Sequence, residues 1–309
     1  MSDPIVVTVL DRALAAGTPL LLGTLGEIVA ERSGILNLGV EGMMSVGAVT
    51  GFMTAVATGN PWLGVLAAVA AGAAASLLHA FASITLRANQ VVSGLALAML
   101  GVGLSGLLGK PYIGVAAADA KMAVVRVPWL SDLPWIGRIL FVKDPFFYLS
   151  IALGIALWFL LAHTRWGVRV RSVGENPAAA EVQGVSVAGV RCLCTAIGGA
   201  LAGMAGAHLS LAYSNSWSEG LTGGRGWIVI ALTIFALWNP LRAFLGAFLF
   251  GGVFVLQYVL QPLGIPPNLL GALPYVATLL VLVLGGVRGN LRHLASPEAL
   301  GESFARGEK

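Results

Sequence analysis

Long apolar runs fill most of this chain, and short polar stretches separate them. An apolar run of about 20 residues can cross the roughly 30 Å hydrocarbon core of a bilayer as an α-helix. The candidate spans lie at residues 13–31, 34–57, 62–86, 90–108, 145–163, 188–212, 226–238, 241–260 and 268–286. Because 226–238 is short, we expect a partial or broken span there. The pattern predicts an all-α polytopic membrane protein, a bundle of about nine transmembrane helices (about eight to ten).

The composition agrees with a membrane protein. Hydrophobic residues make up 57% of the 309 residues and charged residues only 10%, against about 25% charged residues in an average soluble domain. The 41 glycines suit helices that approach one another closely in lipid. The net charge of +4 does not indicate a nucleic-acid partner, because excess Lys and Arg in a membrane protein reports orientation. Two cysteines, Cys192 and Cys194, are too few for a structural zinc site.

The basic residues predict which side of the membrane each loop occupies. An odd number of spans puts the termini on opposite sides, and the short loops with more Lys and Arg are cytoplasmic. The larger basic group consists of Arg32, Arg87, Arg165, Arg169, Arg171, Arg191, Arg242, Arg288, Arg292, Arg306 and Lys309. Arg12, Arg225 and the basic residues of the long loop 109–144 form the smaller group. We therefore expect an external N-terminus, an external loop 109–144 and a cytoplasmic C-terminus.

The domain organisation is simple. Residues 1–292 are predicted to form a single transmembrane domain, and 293–309 a polar cytoplasmic tail that is partly disordered. The N-terminus lacks the features of a cleaved signal peptide, so we expect the first span to remain in the mature protein.

A polar stretch at 165–187 interrupts the apolar pattern and carries a helix-start signal. Asn176 is a favourable N-cap, and Pro177 suits the first helical position, where its missing N–H costs nothing. Gly184 can end the helix. A helix over 177–183 would be only about 10 Å long, too short to cross a membrane. From the residues alone it is either an ordinary surface helix or a firm surface, with exposed alanines, on which a partner docks.

The sequence RSVGENPAAAEVQG at 171–184 resembles the cytoplasmic segment of permease subunits in bacterial ABC importers for simple sugars, branched-chain amino acids and nucleosides. In that family this segment is the coupling helix, which sits on the ATP-hydrolysing subunit. The resemblance assigns ATPase coupling to Gly174, Glu175, Asn176, Pro177, Ala180 and Gly184.

Three further strings resemble the nucleoside branch of the family. They are ERSGILNLGVEGMM at 31–44, NQVVSG at 89–94, and GGRGWIVIAL at 223–232 followed by WNP at 238–240. The resemblance implies a nucleoside importer in a bacterial inner membrane that works by alternating access; simple sugars or branched-chain amino acids are the alternative cargo. It also implies three protein partners: an ATPase, a second related permease that makes a heterodimer, and a periplasmic or lipid-anchored substrate-binding protein.

Asn37 and Glu41 are the most conspicuous polar residues within a predicted span. A charge near the membrane centre costs at least about 3 kcal/mol, so such residues are functional candidates. Their spacing of four residues would place them on one helical face. That face could line a translocation pathway, or it could bond a neighbouring helix and fix the bundle.

Other polar pairs lie near the ends of predicted spans. Glu27 and Glu31 are expected to form a solvated or ion-paired helix end beside Arg32. Asn89 and Gln90 are further candidates for the pathway, although Asn89 is equally suited to cap the following helix. The isolated histidines His79, His163 and His208 are expected to be hydrogen-bonded packing residues.

Motifs for independent catalysis are missing from the sequence. It has no phosphate-binding loop, no His-Glu-x-x-His and no convincing Ser/His/Asp set, and the glycines around Arg225 are better explained as a bend before a broken helix. We therefore expect no enzymatic activity, no metal and no cofactor in this chain, with ATP used by the partner subunit. An ion-coupled secondary transporter is a remote alternative, because such proteins usually carry several charged residues at the membrane midplane.

Overall fold

A computed structural model describes residues 5–115, 121–287 and 296–305 of the chain. The long helices are α1 (Ile5–Arg32), α2 (Val40–Thr58), α3 (Pro61–Ala80), α4 (Gln90–Gly109), α6 (Pro145–His163), α9 (Val187–His208) and α11 (Pro240–Leu260). The shorter helices are α5 (Ile136–Phe141), α7 (Arg165–Glu175), α8 (Pro177–Val182), α10 (Arg225–Phe235), α12 (Pro267–Gly271) and α13 (Leu273–Val287). Single π-helical turns extend α3 over Phe81–Thr85 and α9 over Leu209–Tyr213, and 3₁₀ turns follow α4 and α11 at Lys110–Tyr112 and Gln261–Leu263. The predicted all-α class is confirmed.

The predicted external loop holds the small amount of sheet in the described residues. Strand β1 (Val125–Arg126) pairs antiparallel with β2 (Val142–Lys143), and α5 lies between them. Lys143 fixes this hairpin to the bundle, because its ammonium group donates to the carbonyl and carboxylate oxygens of Asp11 at 2.7 and 2.5 Å. The exposed Trp129 and Trp135 lie in the same segment.

The predicted number of about nine spans is not confirmed. Among the described residues, seven helices are long and apolar enough to cross a membrane, and two shorter apolar helices lie at Arg225–Phe235 and Leu269–Leu280. These two occupy the predicted spans 226–238 and 268–286. The first is cut short by a turn in which Leu237 and Trp238 have φ of 52°, and the second is divided between α12 and α13. The predicted span 34–57 is also corrected, because residues 33–39 are not helical and α2 begins at Val40.

Helix α9 lies at the centre of the bundle and packs against α1, α2 and α3. Its small residues permit this. A Cβ atom on Gly206 would lie 2.0 Å from the carbonyl oxygen of Met44 on α2, and one on Gly203 would lie 2.2 Å from that of Ala68 on α3. Side chains other than hydrogen at these positions would force the helices apart. This is the close helix packing that the high glycine content predicted.

Helix α1 connects the two ends of the bundle. It packs along α11 and α9, and its central residues, such as Leu20, Leu25 and Ile28, are fully buried. Its C-terminus meets α7, because the carbonyl of Arg32 lies against Gly174. Arg12 lies about 30 Å away, since each helical residue adds about 1.5 Å. We refer to the two ends of the bundle as the α8 end and the Arg12 end.

Candidate functional site

The polar segment at 165–187 folds as two short helices at the α8 end. Asn176 ends α7 and starts α8, and its side-chain oxygen accepts a hydrogen bond from the Ala179 N–H at 2.9 Å. Pro177 occupies the first position of α8, and Gly184 follows the helix with φ of +80°. The predicted cap, first residue and stop are therefore confirmed, and the helix ends one residue earlier than expected, at Val182.

The two faces of α8 differ. Ala180 is only 4% exposed and packs with Val173 and Val187, so the expectation of exposed alanines is wrong for this residue. Ala178 and Ala179 are exposed, and Val182 is 85% exposed. The outer face of this capped helix therefore presents an apolar side chain to its surroundings. The exposure of Val182 was not predicted from the sequence, because the face on which it lies depends on where the helix begins.

Gly174 holds α7 against the end of α1. A Cβ atom at this position would lie 2.2 Å from the carbonyl oxygen of Arg32, so any larger residue would push the two helices apart. Gly174 is buried, whereas Glu175, Asn176 and Gly184 are exposed. Of the predicted coupling residues, Gly174 and Ala180 thus attach the segment to the bundle, and the others lie on its surface.

The C-terminal tail contacts the same segment. The Ala299 N–H donates to the carbonyl of Gly174 at 2.9 Å, and the Gly301 N–H donates to the carbonyl of Gly34 at 3.2 Å. The side chain of Phe304 packs against the small cluster around Ala180. The tail was predicted to be partly disordered; residues 296–305 form an ordered part of it, because backbone hydrogen bonds and the apolar contact of Phe304 hold a sequence that composition marks as polar.

The non-helical segment 33–39 is held by buried polar side chains. The backbone and side-chain N–H groups of Asn37 donate to the carboxylate of Glu27 at 3.2 and 3.3 Å. Gln90 accepts from the Leu36 N–H at 2.7 Å and donates to the carbonyl of Glu302 at 3.3 Å. Because this segment is not helical, its backbone N–H groups need other partners, and these side chains supply them. Asn89, by contrast, is exposed and accepts from the Val92 N–H at 3.1 Å, so its capping role is confirmed.

Glu27 and Glu31 are each only 1% exposed, so the expectation of a solvated or ion-paired helix end is wrong. Glu31 accepts a short hydrogen bond from the indole N–H of Trp238. The guanidinium of Arg32 donates to the backbone carbonyl of Trp238 at 3.2 Å. The turn after α10 folds over the end of α1 and excludes solvent from these carboxyl groups.

Glu41, in the first turn of α2, lies against the N-terminus of α10. Its carboxylate accepts from the Thr222 hydroxyl at 2.6 Å and from the N–H groups of Gly224 and Gly226 at 2.9 and 2.6 Å. Because Asn37 precedes α2 and Glu41 lies in its first turn, the predicted shared helical face is wrong. Glu41 bonds a neighbouring helix, and the positive end of α10 favours its negative charge.

The bend predicted around Arg225 is also present. Gly223 and Gly224 both have positive φ, at 55° and 75°, and α10 begins at Arg225. Since only glycine adopts this backbone conformation readily, the two glycines allow the N–H groups of the bend to turn toward Glu41.

The isolated histidines differ from one another. His79 is buried and hydrogen-bonds through its ring to Ser93 at 3.0 Å and to the Leu36 carbonyl at 3.2 Å, as expected. His208 is also buried, yet neither ring nitrogen has a hydrogen-bond partner among the described residues, so the expectation is wrong there. The sequence gives no sign of this difference, because it depends on what surrounds the ring.

The fold and these contacts can be compared with known proteins. The family model described as "Branched-chain amino acid transport system / permease component" matches residues 9–284, nearly the whole bundle. This chain belongs to that permease family. The permease has no matching solved structure.

Several relatives cover almost the entire permease. The putative glucose ABC transporter permease protein TsgC13 of Haloferax volcanii is 39% identical, over 96% of this chain and 97% of its own. The guanosine ABC transporter permease protein NupQ of Bacillus subtilis is 35% identical over 96% of both chains. The nucleoside ABC transporter permease protein NupC of Lactococcus lactis is 36% identical over 88% of this chain and 90% of its own. The permease is therefore a multi-pass membrane component of an ABC importer.

Proposed function

We propose that the permease translocates nucleosides by alternating access, powered by a separate ATPase that docks on α8. The cargo rests on the two relatives named for guanosine and nucleosides, at 35% and 36% identity, and on the nucleoside-type strings around Glu31–Met44 and Gly223–Leu232. A glucose permease is 39% identical, so a simple sugar is the second candidate cargo.

The observation that carries the coupling role is the outer face of α8. A short capped helix with the exposed Val182 lies at the α8 end of the bundle. Gly174 packs against the end of α1, and Ala180 packs in the small cluster that Phe304 of the tail also contacts. A displacement of α8 by a partner would therefore be passed to α1 through van der Waals contact rather than absorbed by a loose loop. Two packings of such a bundle, biased by ATP in the partner, suffice for alternating access.

The remaining partners and the orientation belong to the same proposal. The α8 end is cytoplasmic and the Arg12 end external, as the basic short loops indicate, in a bacterial inner membrane. A second, related permease completes the pore, and a periplasmic or lipid-anchored binding protein delivers the nucleoside to the Arg12 end. The chain holds no cofactor, and ATP hydrolysis takes place in the partner. Asn37, Glu41, Asn89 and Gln90 remain our candidates for residues of the translocation pathway.

A single substitution tests the docking surface. Val182→Asp places a charge on the exposed face of α8 without touching the buried side, so the permease should fold. We expect at least a tenfold loss of ATPase co-purification and of ATP-dependent uptake, because charges are poorly tolerated in the core of an interface. Val124→Asp makes the same change at a 53% exposed valine in the predicted external loop; it is the matched control and should behave as wild type. Normal ATPase binding by Val182→Asp would refute the docking role.

A further inference from the structure

A cavity of about 390 Å³ opens at the Arg12 end of the bundle. Four elements surround it: the start of α1, the N-cap of α6, the last turns of α9 and the C-terminal part of α11. The residues with polar groups in its wall are Arg12, Asp144, His208, Tyr213 and Tyr258. The volume lies within the range of about 300–1,000 Å³ that holds small-molecule ligands in proteins.

His208 is the unusual member of this wall. Its side chain is 0% exposed, and within residues 5–115, 121–287 and 296–305 neither ring nitrogen has a hydrogen-bond partner. The nearest carboxylate oxygen, Oδ2 of Asp144, is 3.6 Å from Nε2, beyond hydrogen-bond distance. Phe146 packs edge-on against the ring at 5.3 Å between centroids and fixes its orientation. A buried imidazole without partners is costly, and a ligand with hydroxyl groups would supply the missing bonds.

The cavity also offers aromatic surfaces and balanced charge. Tyr258 is 58% exposed, and Tyr213 is half-buried, with the guanidinium of Arg225 over its ring at 5.7 Å. The lining residues include one cation, Arg12, and one anion, Asp144, so their charges offset each other. Phenol rings beside hydrogen-bonding groups are suited to a neutral molecule that has both a flat ring and hydroxyl groups.

We propose that this cavity is a binding site for a nucleoside, with Asp144 and His208 hydrogen-bonded to the ribose hydroxyls and the tyrosine rings packed against the base. The proposal rests on the proposed function, and it adds that the permease itself holds the cargo at the end opposite α8. Cargo bound here lies about 30 Å along α1 from the coupling segment. One end of α1 would then respond to cargo binding and the other end to the ATPase. A hexose shares the hydroxyl chemistry and lacks the base.

Binding to the assembled transporter in nanodiscs, without its binding protein, tests the site. Labelled guanosine and labelled glucose are the two probes, and ATP hydrolysis is measured in parallel. His208→Gln removes the imidazole and Tyr258→Ala removes an exposed ring, and each should weaken guanosine binding about tenfold, the loss expected for one hydrogen bond or one aromatic contact. The matched controls are His163→Gln, an exposed histidine, and Trp129→Ala, an exposed ring on the predicted external loop. Both controls should bind as wild type.

The outcomes separate the cavity from the proposed function. Guanosine binding that both cavity variants weaken, and that both control variants leave at the wild-type level, supports the site. Glucose binding with the same dependence on His208 supports the site and overturns the nucleoside as its ligand. If the wild-type complex transports guanosine with ATP but both cavity variants bind and transport normally, the site is refuted while the proposed function stands. If the complex shows no ATP-dependent transport of any probe, the proposed function itself fails.

Discussion

Glu41→Gln should destabilise the bundle, because the Glu41 carboxylate joins α2 to the start of α10 through three hydrogen bonds. It is 6% exposed and accepts two backbone N–H groups and one hydroxyl, at 2.6–2.9 Å. The donors belong to the bend that starts α10, where Gly223 and Gly224 have positive φ. No other carboxylate in the described residues makes these bonds.

The size of the effect follows from those contacts. Glutamine keeps one oxygen, which can still accept from Thr222 and Gly224, but it turns an NH₂ group toward the N–H of Gly226. A buried donor left without a partner costs about 1–3 kcal/mol. Loss of the negative charge at the start of α10 adds about 0.3–1 kcal/mol. We therefore expect a loss of about 1–4 kcal/mol for Glu41→Gln, and a larger loss for Glu41→Ala, which removes both acceptor oxygens.

Thermal unfolding of the purified permease in detergent measures this loss. Glu219→Gln makes the same chemical change at an exposed residue of the same region and should leave the midpoint unchanged. Thr222→Val should lower it less than Glu41→Gln does: it removes the hydroxyl that bonds Glu41 and Ser45, but it leaves both backbone N–H groups bonded to the Glu41 carboxylate. Equal midpoints for Glu41→Gln and Glu219→Gln would show that the carboxylate does not hold α10, and the structural account of Glu41 would be wrong.

Three further perturbations test other parts of the structure. Asn176→Ala should cost about 1 kcal/mol of α8 stability and reduce ATPase-coupled uptake, whereas Asn60→Ala, an equivalent N-cap on α3, should lower only the unfolding midpoint. Gly174→Ala should impair uptake more than ATPase binding, because it displaces α7 from the carbonyl at the end of α1. Burial lowers the pKa of Lys143, and the neighbouring carboxylate offsets part of that effect. The unfolded chain therefore binds the proton more tightly than the folded chain. The free energy of unfolding of the wild type, measured relative to that of Lys143→Met, should rise as the pH increases toward about 10.4. A difference between the two proteins that does not change with pH would contradict this.

Local signals in the sequence predicted local structure. The caps at Asn89 and Asn176 and the bend at Gly223 and Gly224 follow from residue types whose backbone preferences do not depend on distant partners. The apolar runs placed the long helices for the same reason, since a lipid environment requires each span to satisfy its own backbone hydrogen bonds.

Contacts between distant segments could not be predicted in this way. Glu41 and Thr222 are 181 positions apart, so only the folded bundle shows that Glu41 caps α10 rather than facing Asn37. The tail was expected to be partly disordered, and composition does not reveal that its part around Ala299 makes a backbone hydrogen bond to Gly174. The unpaired ring of His208 was missed because the sequence does not show which groups surround it.

Uptake by the complete transporter tests the central claim most directly. The permease is reconstituted in proteoliposomes with its ATPase and second permease, with ATP inside, the binding protein outside, and labelled guanosine or glucose as cargo. We expect guanosine to accumulate only with ATP, and Val182→Asp to abolish the accumulation while Val124→Asp does not. Accumulation of glucose alone would contradict the nucleoside assignment. Guanosine uptake that needs no ATP and is unaffected by Val182→Asp would contradict the coupling of α8 to an ATPase.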